Sequence, residues 1–155
     1  MLAAIAATSC TDVTSWSTRG DHFEGNLVQG GFVRAGFGGD VTMCMTFDGA
    51  SFQTAPGMIA TNDGRFNASA LRPIPQAWHD GFSAMTFGEG RVRNLPYAVQ
   101  PTRGEPDAMA IVSLMKDDAI EVRVVRGAPG RDGGATEEPL FAIFRLERKP
   151  GPCPY

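Results

Sequence analysis

Within Leu71-Arg72-Pro73-Ile74-Pro75-Gln76-Ala77-Trp78-His79-Asp80, a guanidinium, an indole, an imidazole and a carboxylate fall inside ten residues. Connecting loops carry function more often than packed elements do, and Trp with Arg is enriched at binding hot spots. Arg72, Trp78 and His79 are therefore the candidate centre of a binding surface. A packing role competes with this: Trp78 would cover the open end of a sheet, with Ile74 beside it and His79 in water. Hydrolysis is poorly served by the same residues. A carboxylate rarely orients the imidazole next to it in the chain, and no Gly-x-Ser-x-Gly elbow supplies a nucleophile. A Cys44 nucleophile assisted by His22 or His79 has no local support. The remaining carboxylates are scattered over turns rather than paired. No catalytic residue is expected.

Metal and cofactor chemistry finds no better footing. The two histidines, His22 and His79, show no ligand spacing to each other or to a cysteine. Asp63, in Thr61-Asn62-Asp63-Gly64-Arg65, lacks the spaced oxygens and closing glutamate of a calcium loop and reads as a turn. The glycine-rich stretch from Gln29 to Gly39 has neither a Gly-x-Gly-x-x-Gly nor a Gly-Lys-Ser/Thr ending. Its glycines alternate with Phe32 and Phe37, which suits a bent strand or a barrel corner. No cofactor and no metal are expected. Asn67-Ala68-Ser69 fits the N-glycosylation pattern, which matters only in a eukaryotic secretory pathway.

The chain begins Met-Leu-Ala-Ala-Ile-Ala-Ala-Thr-Ser-Cys, small and apolar as far as Cys10, and then turns polar at Thr11, Asp12, Thr14 and Ser15. Ala7 to Cys10 resembles the lipobox of bacterial lipoproteins, in which small residues precede a cysteine that is lipidated and becomes the mature N-terminus. Leu, usual three places before that cysteine, is replaced by Ala7, and the apolar core spans only about six residues. The resemblance implies lipidation at Cys10, with Met1 inside a longer signal whose charged start lies upstream. The other reading packs Met1 to Ala7 on the domain and leaves Cys10 an ordinary thiol.

With Cys10 as an anchor, the three cysteines leave Cys44 and Cys153 as a pair. Their bridge would close a loop of about 110 residues and stabilise by roughly 4 to 5 kcal/mol, tying down a proline-rich tail. Alternatively Cys44, inside the apolar stretch Val41 to Phe47, is a buried thiol.

A chain of 155 residues is one domain in length and can bury roughly 68 to 70% of its unfolded surface. Its 43% hydrophobic and 20% charged residues mark a globular protein. No run reaches the roughly 18 apolar residues of a spanning helix. Net charge is −3 with basic residues spread along the chain, so nucleic acid is not an expected partner. Twelve arginines against two lysines suit bidentate recognition of carboxylate or phosphate, or else reflect compositional bias.

The elements that must position these groups are strands, because 19 glycines and 11 prolines leave few windows for a helix. In Ala119 to Arg126, Ile120, Val122 and Val124 alternate with Glu121 and Arg123, the period of a strand with one buried face. Ala108 to Met115 is almost wholly apolar, as a strand covered on both faces would be, and Lys116-Asp117-Asp118 supplies the turn of a hairpin. Leu140 to Glu147 is a third strand, expected to end the sheet before Pro150 and Pro152. Phe23 to Val33, Val41 to Phe47, Phe82 to Phe87 and Arg91 to Val99 are further strands, with a shorter one at Ser51 to Ala55 or Met58 to Thr61. Asp48-Gly49, Asp63-Gly64 and Gly88-Glu89-Gly90 are turns. Asn67 to Gly81 and Gly127 to Pro139 are irregular, the first with a helical turn near Gln76 to His79.

The expected fold is all-β, a single antiparallel β-sandwich or small β-barrel of about seven or eight strands. It occupies residues 21–155, after a signal or lipobox-like segment at 1–10 and a short linker at 11–20. The expected function is a non-enzymatic binding or assembly module of the bacterial cell envelope, either an outer-membrane lipoprotein or secreted. It would have a protein partner and touch the membrane only through a lipid anchor. A small barrel carrying an apolar ligand and an exported hydrolase with an unrecognised site are the alternatives.

Overall fold

Period-two alternation commits a chain to strands because successive side chains leave a pleated backbone on opposite faces. Ile120, Val122 and Val124 accordingly point one way and are fully buried, while Glu121 and Arg123 point the other. The computed structural model describes residues 18, 20–28, 36–48, 56–74, 91–101, 103–104, 107–115, 117–126 and 140–155. These residues contain eight strands and no helix: β1 (Asp21–Leu27), β2 (Thr42–Phe47), β3 (Gly57–Thr61), β4 (Ser69–Pro73), β5 (Arg91–Val99), β6 (Ala108–Met115), β7 (Ile120–Arg126) and β8 (Leu140–Pro150).

Each strand pairs antiparallel with its neighbours in sequence, and β1 also pairs with β8, from Asp21 opposite Pro150 to Leu27 opposite Phe144. That last pairing closes the sheet into a barrel and removes its edges. Between the sandwich and the barrel left open by the sequence, the structure takes the barrel.

Eight strands leave an interior about wide enough for side chains to fill. Phe23, Met43, Met45, Phe47, Ile59, Leu71, Tyr97, Val112, Val122, Phe144 and Leu146 fill it, none more than 2% exposed. Phe47 packs edge-on to Phe23 at 6.1 Å and tilts against Tyr97 at 6.2 Å. The connections β1–β2, β3–β4, β5–β6 and β7–β8 all emerge at one end of the barrel. There Phe37 and Phe66 fold inward and stack at 6.1 Å, with Phe37 also edge-on to Phe144 at 5.5 Å. Glu24, Arg72, Glu121, Arg123, Arg145 and Glu147 occupy outward positions on their strands. Apolar inside and charged outside is the reverse of the alternation in a membrane-spanning barrel. No helix among the described residues is long and apolar enough to cross a membrane.

Cys44 and His22 also point outward, yet they are 0% and 4% exposed. The C-terminal residues 151–155 explain this by lying over β1 and β2. Cys153 is disulfide-bonded to Cys44, with Cα atoms 5.9 Å apart. His22 donates from Nδ1 to the Gly151 carbonyl at 2.7 Å, and the Tyr155 hydroxyl donates to Thr42 Oγ1 at 2.9 Å. The competing view of Cys44 as a free core thiol is thereby set aside.

Several boundaries differ from expectation. The β6–β7 hairpin forms as read, its turn accommodated by Asp118 at φ 62°, a conformation that Asp tolerates. The strand β8 runs on to Pro150, which sits at its terminal register position opposite Asp21, where the missing N–H interrupts no ladder. It does not end the sheet, because β1 pairs along it. Ser69–Pro73 is a strand rather than part of an irregular segment, so Leu71 to Pro73 are not loop residues. Of the shorter alternatives, the one at Met58 to Thr61 is β3. The first expected strand is described only as far as Val28. The expectations at Ser51 to Ala55, Gln76 to His79 and Phe82 to Phe87 lie outside the described residues.

Candidate functional site

Two neighbouring turns at the same end of the barrel, β3–β4 and β5–β6, project beyond β4 and β5 and enclose a polar cleft of about 530 Å³. The first turn is built by its own side chains. Thr61 Oγ1 accepts from the Phe66 N–H at 2.9 Å, and Asp63 Oδ1 accepts from the Arg65 N–H at 3.0 Å. Burying Phe66 in the barrel mouth pins the turn from beneath. Asn62 ties it to the start of β2, accepting from the Thr42 N–H at 3.0 Å and donating to the Asp40 carbonyl at 3.3 Å. Asp63-Gly64 is thus the turn read from the sequence, with Gly64 at φ 75° where a side chain would be strained.

Alternation along β4 sends Leu71 inward, 2% exposed, and Arg72 outward into the cleft. Ser69 donates from Oγ to the Pro101 carbonyl at 3.0 Å, which clamps the start of β4 to the end of β5. From the β5–β6 turn come Arg103 and, just before β6, Asp107. Arg72 Nη2 lies 2.6 Å from Asp107 Oδ2, with side chains 58% and 47% exposed. An ion pair this open to water contributes little to stability, so its interest lies in the groups it places together. Asn67 and Gln100 add carboxamides to the lining.

A second polar group flanks the C-terminal strap. Lys149 Nζ donates to Glu24 Oε2 at 2.9 Å, and His22 Nε2 lies 3.5 Å from the same oxygen. The hydrogen bond from Lys149 holds the Glu24 carboxyl below its usual range against an opposing effect of burial, and the same bond raises the Lys149 ammonium. The group sits on the outer face of β1 and β8, with His22 beneath the tail and Lys149 half exposed. Tyr97, inside the barrel, has its hydroxyl pKa pushed well above the usual range by burial alone.

Of the residues singled out from sequence, Arg72 lies in the cleft, and Cys44 and Cys153 are bonded to each other. Trp78, His79 and Cys10 lie outside the described residues. Ser69, Arg103 and Asp107 were missed. The available signal was Arg103-Gly104 within a short polar stretch between two apolar strands, which marks a turn but not its proximity to Arg72. Among the described residues no three His, Cys, Asp or Glu side chains cluster to hold a metal. No family model, curated protein or solved structure matches the chain, so function is argued from the site alone.

Proposed function

We propose that the protein is a non-enzymatic binding module of the bacterial cell envelope, lipid-anchored at Cys10 or secreted, which recognises a partner on the outside of its barrel. The observation that carries this reading is a lumen filled by side chains beside an outer polar cleft that contains Arg72. An apolar-ligand carrier needs interior space, and Phe23, Met43, Met45, Phe47 and Phe144 occupy it. The hydrolase alternative on His79 and Asp80 falls on residues outside the described ones. The Cys44–Cys153 bond favours an oxidising, extracytoplasmic compartment.

Photo-crosslinking in cells tests recognition directly. A benzophenone amino acid replaces Ala70, which is exposed in the cleft, or Glu147, which is exposed on β8 at the opposite side of the barrel. A discrete envelope adduct from position 70 and none from 147 is the expected result. Equal labelling from both, or none from 70, would remove the cleft as the recognition surface. Mass spectrometry of the protein from its native membrane tests the address: lipid on Cys10 with Cys44 and Cys153 oxidised is expected, and an intact Met1 with three free thiols would overturn it.

A further inference from the structure

We infer that the outer cleft is an oxyanion site for a carboxylate-bearing ligand, anchored by Arg103 and shared with Arg72, for which Asp107 is the built-in competitor. This rests on the cleft being the recognition surface and names the chemistry it recognises.

The lining is rich in donors. Among the described lining residues, Arg72 and Arg103 supply two guanidinium forks and Asn67 a carboxamide, while the one ionised acceptor, Asp107, is already held by Arg72 at 2.6 Å. The Ser69 hydroxyl is spent on the Pro101 carbonyl. Among the described residues Arg103 has no hydrogen-bond or ionic partner, although it lines the same cavity. A guanidinium has donors and no acceptor, so a complementary ligand must bring acceptor oxygens, preferably charged ones in a planar pair. Asp107 on Arg72 already places one carboxylate oxygen against a guanidinium in this cleft.

The positions of the two arginines are set by the fold. Arg72 is fixed by the inward burial of Leu71 beside it, and Arg103 by a tight turn completed by Gly104 at φ 90°. On a chain of net charge −3, long-range attraction of an anion is weak. Recognition therefore depends on these local forks and fades with salt. Asp107 occupies Arg72 until a ligand carboxylate displaces it, which lowers affinity for single small anions and favours a ligand with two acidic groups.

Phosphate would offer the same oxyanion chemistry, and the test separates the two sources. Amide shifts of the full, isotopically labelled chain are followed while diglutamate, inorganic phosphate or sodium chloride is added at matched ionic strength. Diglutamate is expected to give saturable shifts confined to β4 and its two flanking turns, with sodium chloride giving none. Loss of a charge-assisted contact in R103Q should weaken binding about tenfold. Freeing Arg72 in D107N should tighten it, whereas a merely structural Asp107 would give weaker binding and overturn its role as competitor. Saturation by phosphate alone, no saturation by diglutamate, or affinity unchanged in R103Q each overturns the assignment. A crosslink from position 70 that persists in R103Q would leave cleft recognition intact and remove the carboxylate. No crosslink from 70 in the parent chain would remove the reading beneath both.

Discussion

Replacing Cys44 and Cys153 together by alanine removes a covalent link between residues 109 apart while leaving every barrel strand in place. In the chain-entropy model a loop of that length stabilises the folded state by about 4.8 kcal/mol at 25 °C, because the cross-link restricts the unfolded chain. Two further contacts hold the tail, His22 to Gly151 and Tyr155 to Thr42, each contributing about 1 kcal/mol. They do not replace the bridge. Urea unfolding followed by circular dichroism reads the loss. With a slope of about 1.5 to 2 kcal/mol per molar urea, the midpoint should fall by about 2 to 3 M. Treating the parent chain with reductant should reproduce the same curve. A shift of less than about 0.5 M, under about 1 kcal/mol at that slope, would refute the reasoning. It would mean that the tail is not bonded to β2 or that the unfolded chain is already restrained.

Three other perturbations probe the barrel. A Cβ on Gly25 would run into the Arg145 carbonyl and lie 2.9 Å from Leu146 Cα across the closing seam, so G25A should cost about 2 to 3 kcal/mol in a urea melt. G64A, which meets no atom within 4 Å, serves as the milder control. Phe66→Ala empties the barrel mouth under the β3–β4 turn and should cost about 3 to 5 kcal/mol by calorimetry. Glu24, lowered from its usual value of 4.5 chiefly by Lys149, contributes stability that is present above that value and lost as pH falls through its folded value. E24Q should therefore lower Tm at neutral pH, and its deficit against the parent should shrink as both are acidified below 4.5 and vanish once the pH lies under the lowered folded value of Glu24.

The strands β7 and β8 were legible because aliphatic or aromatic residues alternate with charged ones along them, and β6 because it is an almost unbroken apolar run joined to β7 by a short polar turn. Arg91–Val99 was legible as well, despite Pro96. Strand β4 was not, since Ser69-Ala70-Leu71-Arg72-Pro73 offers a single large apolar residue and ends in proline. Tertiary pairing at three positions on each side makes it a strand. Barrel closure was equally hidden: it depends on β1 meeting β8, partners at opposite ends of the domain with no local signal for each other. The cleft follows the same logic. Arg72 stood out beside other reactive groups, but Arg103 and Asp107 join it only because β4 and β5 pair. The Cys44–Cys153 bridge was foreseen from the cysteine count; that the bonded tail crosses the outer face and covers an outward-pointing Cys44 was not.

Methionine methyl groups provide the most direct measurement of whether recognition belongs to the outside of a solid barrel. Met43 and Met45 lie in the lumen at 0% exposure, whereas Met58 is 45% exposed. In a methyl-labelled sample, adding palmitate should leave the Met43 and Met45 resonances unmoved, while a soluble nitroxide broadens Met58 alone of the three. Saturable shifts of Met43 and Met45 on adding palmitate would show a ligand inside the barrel and contradict the account.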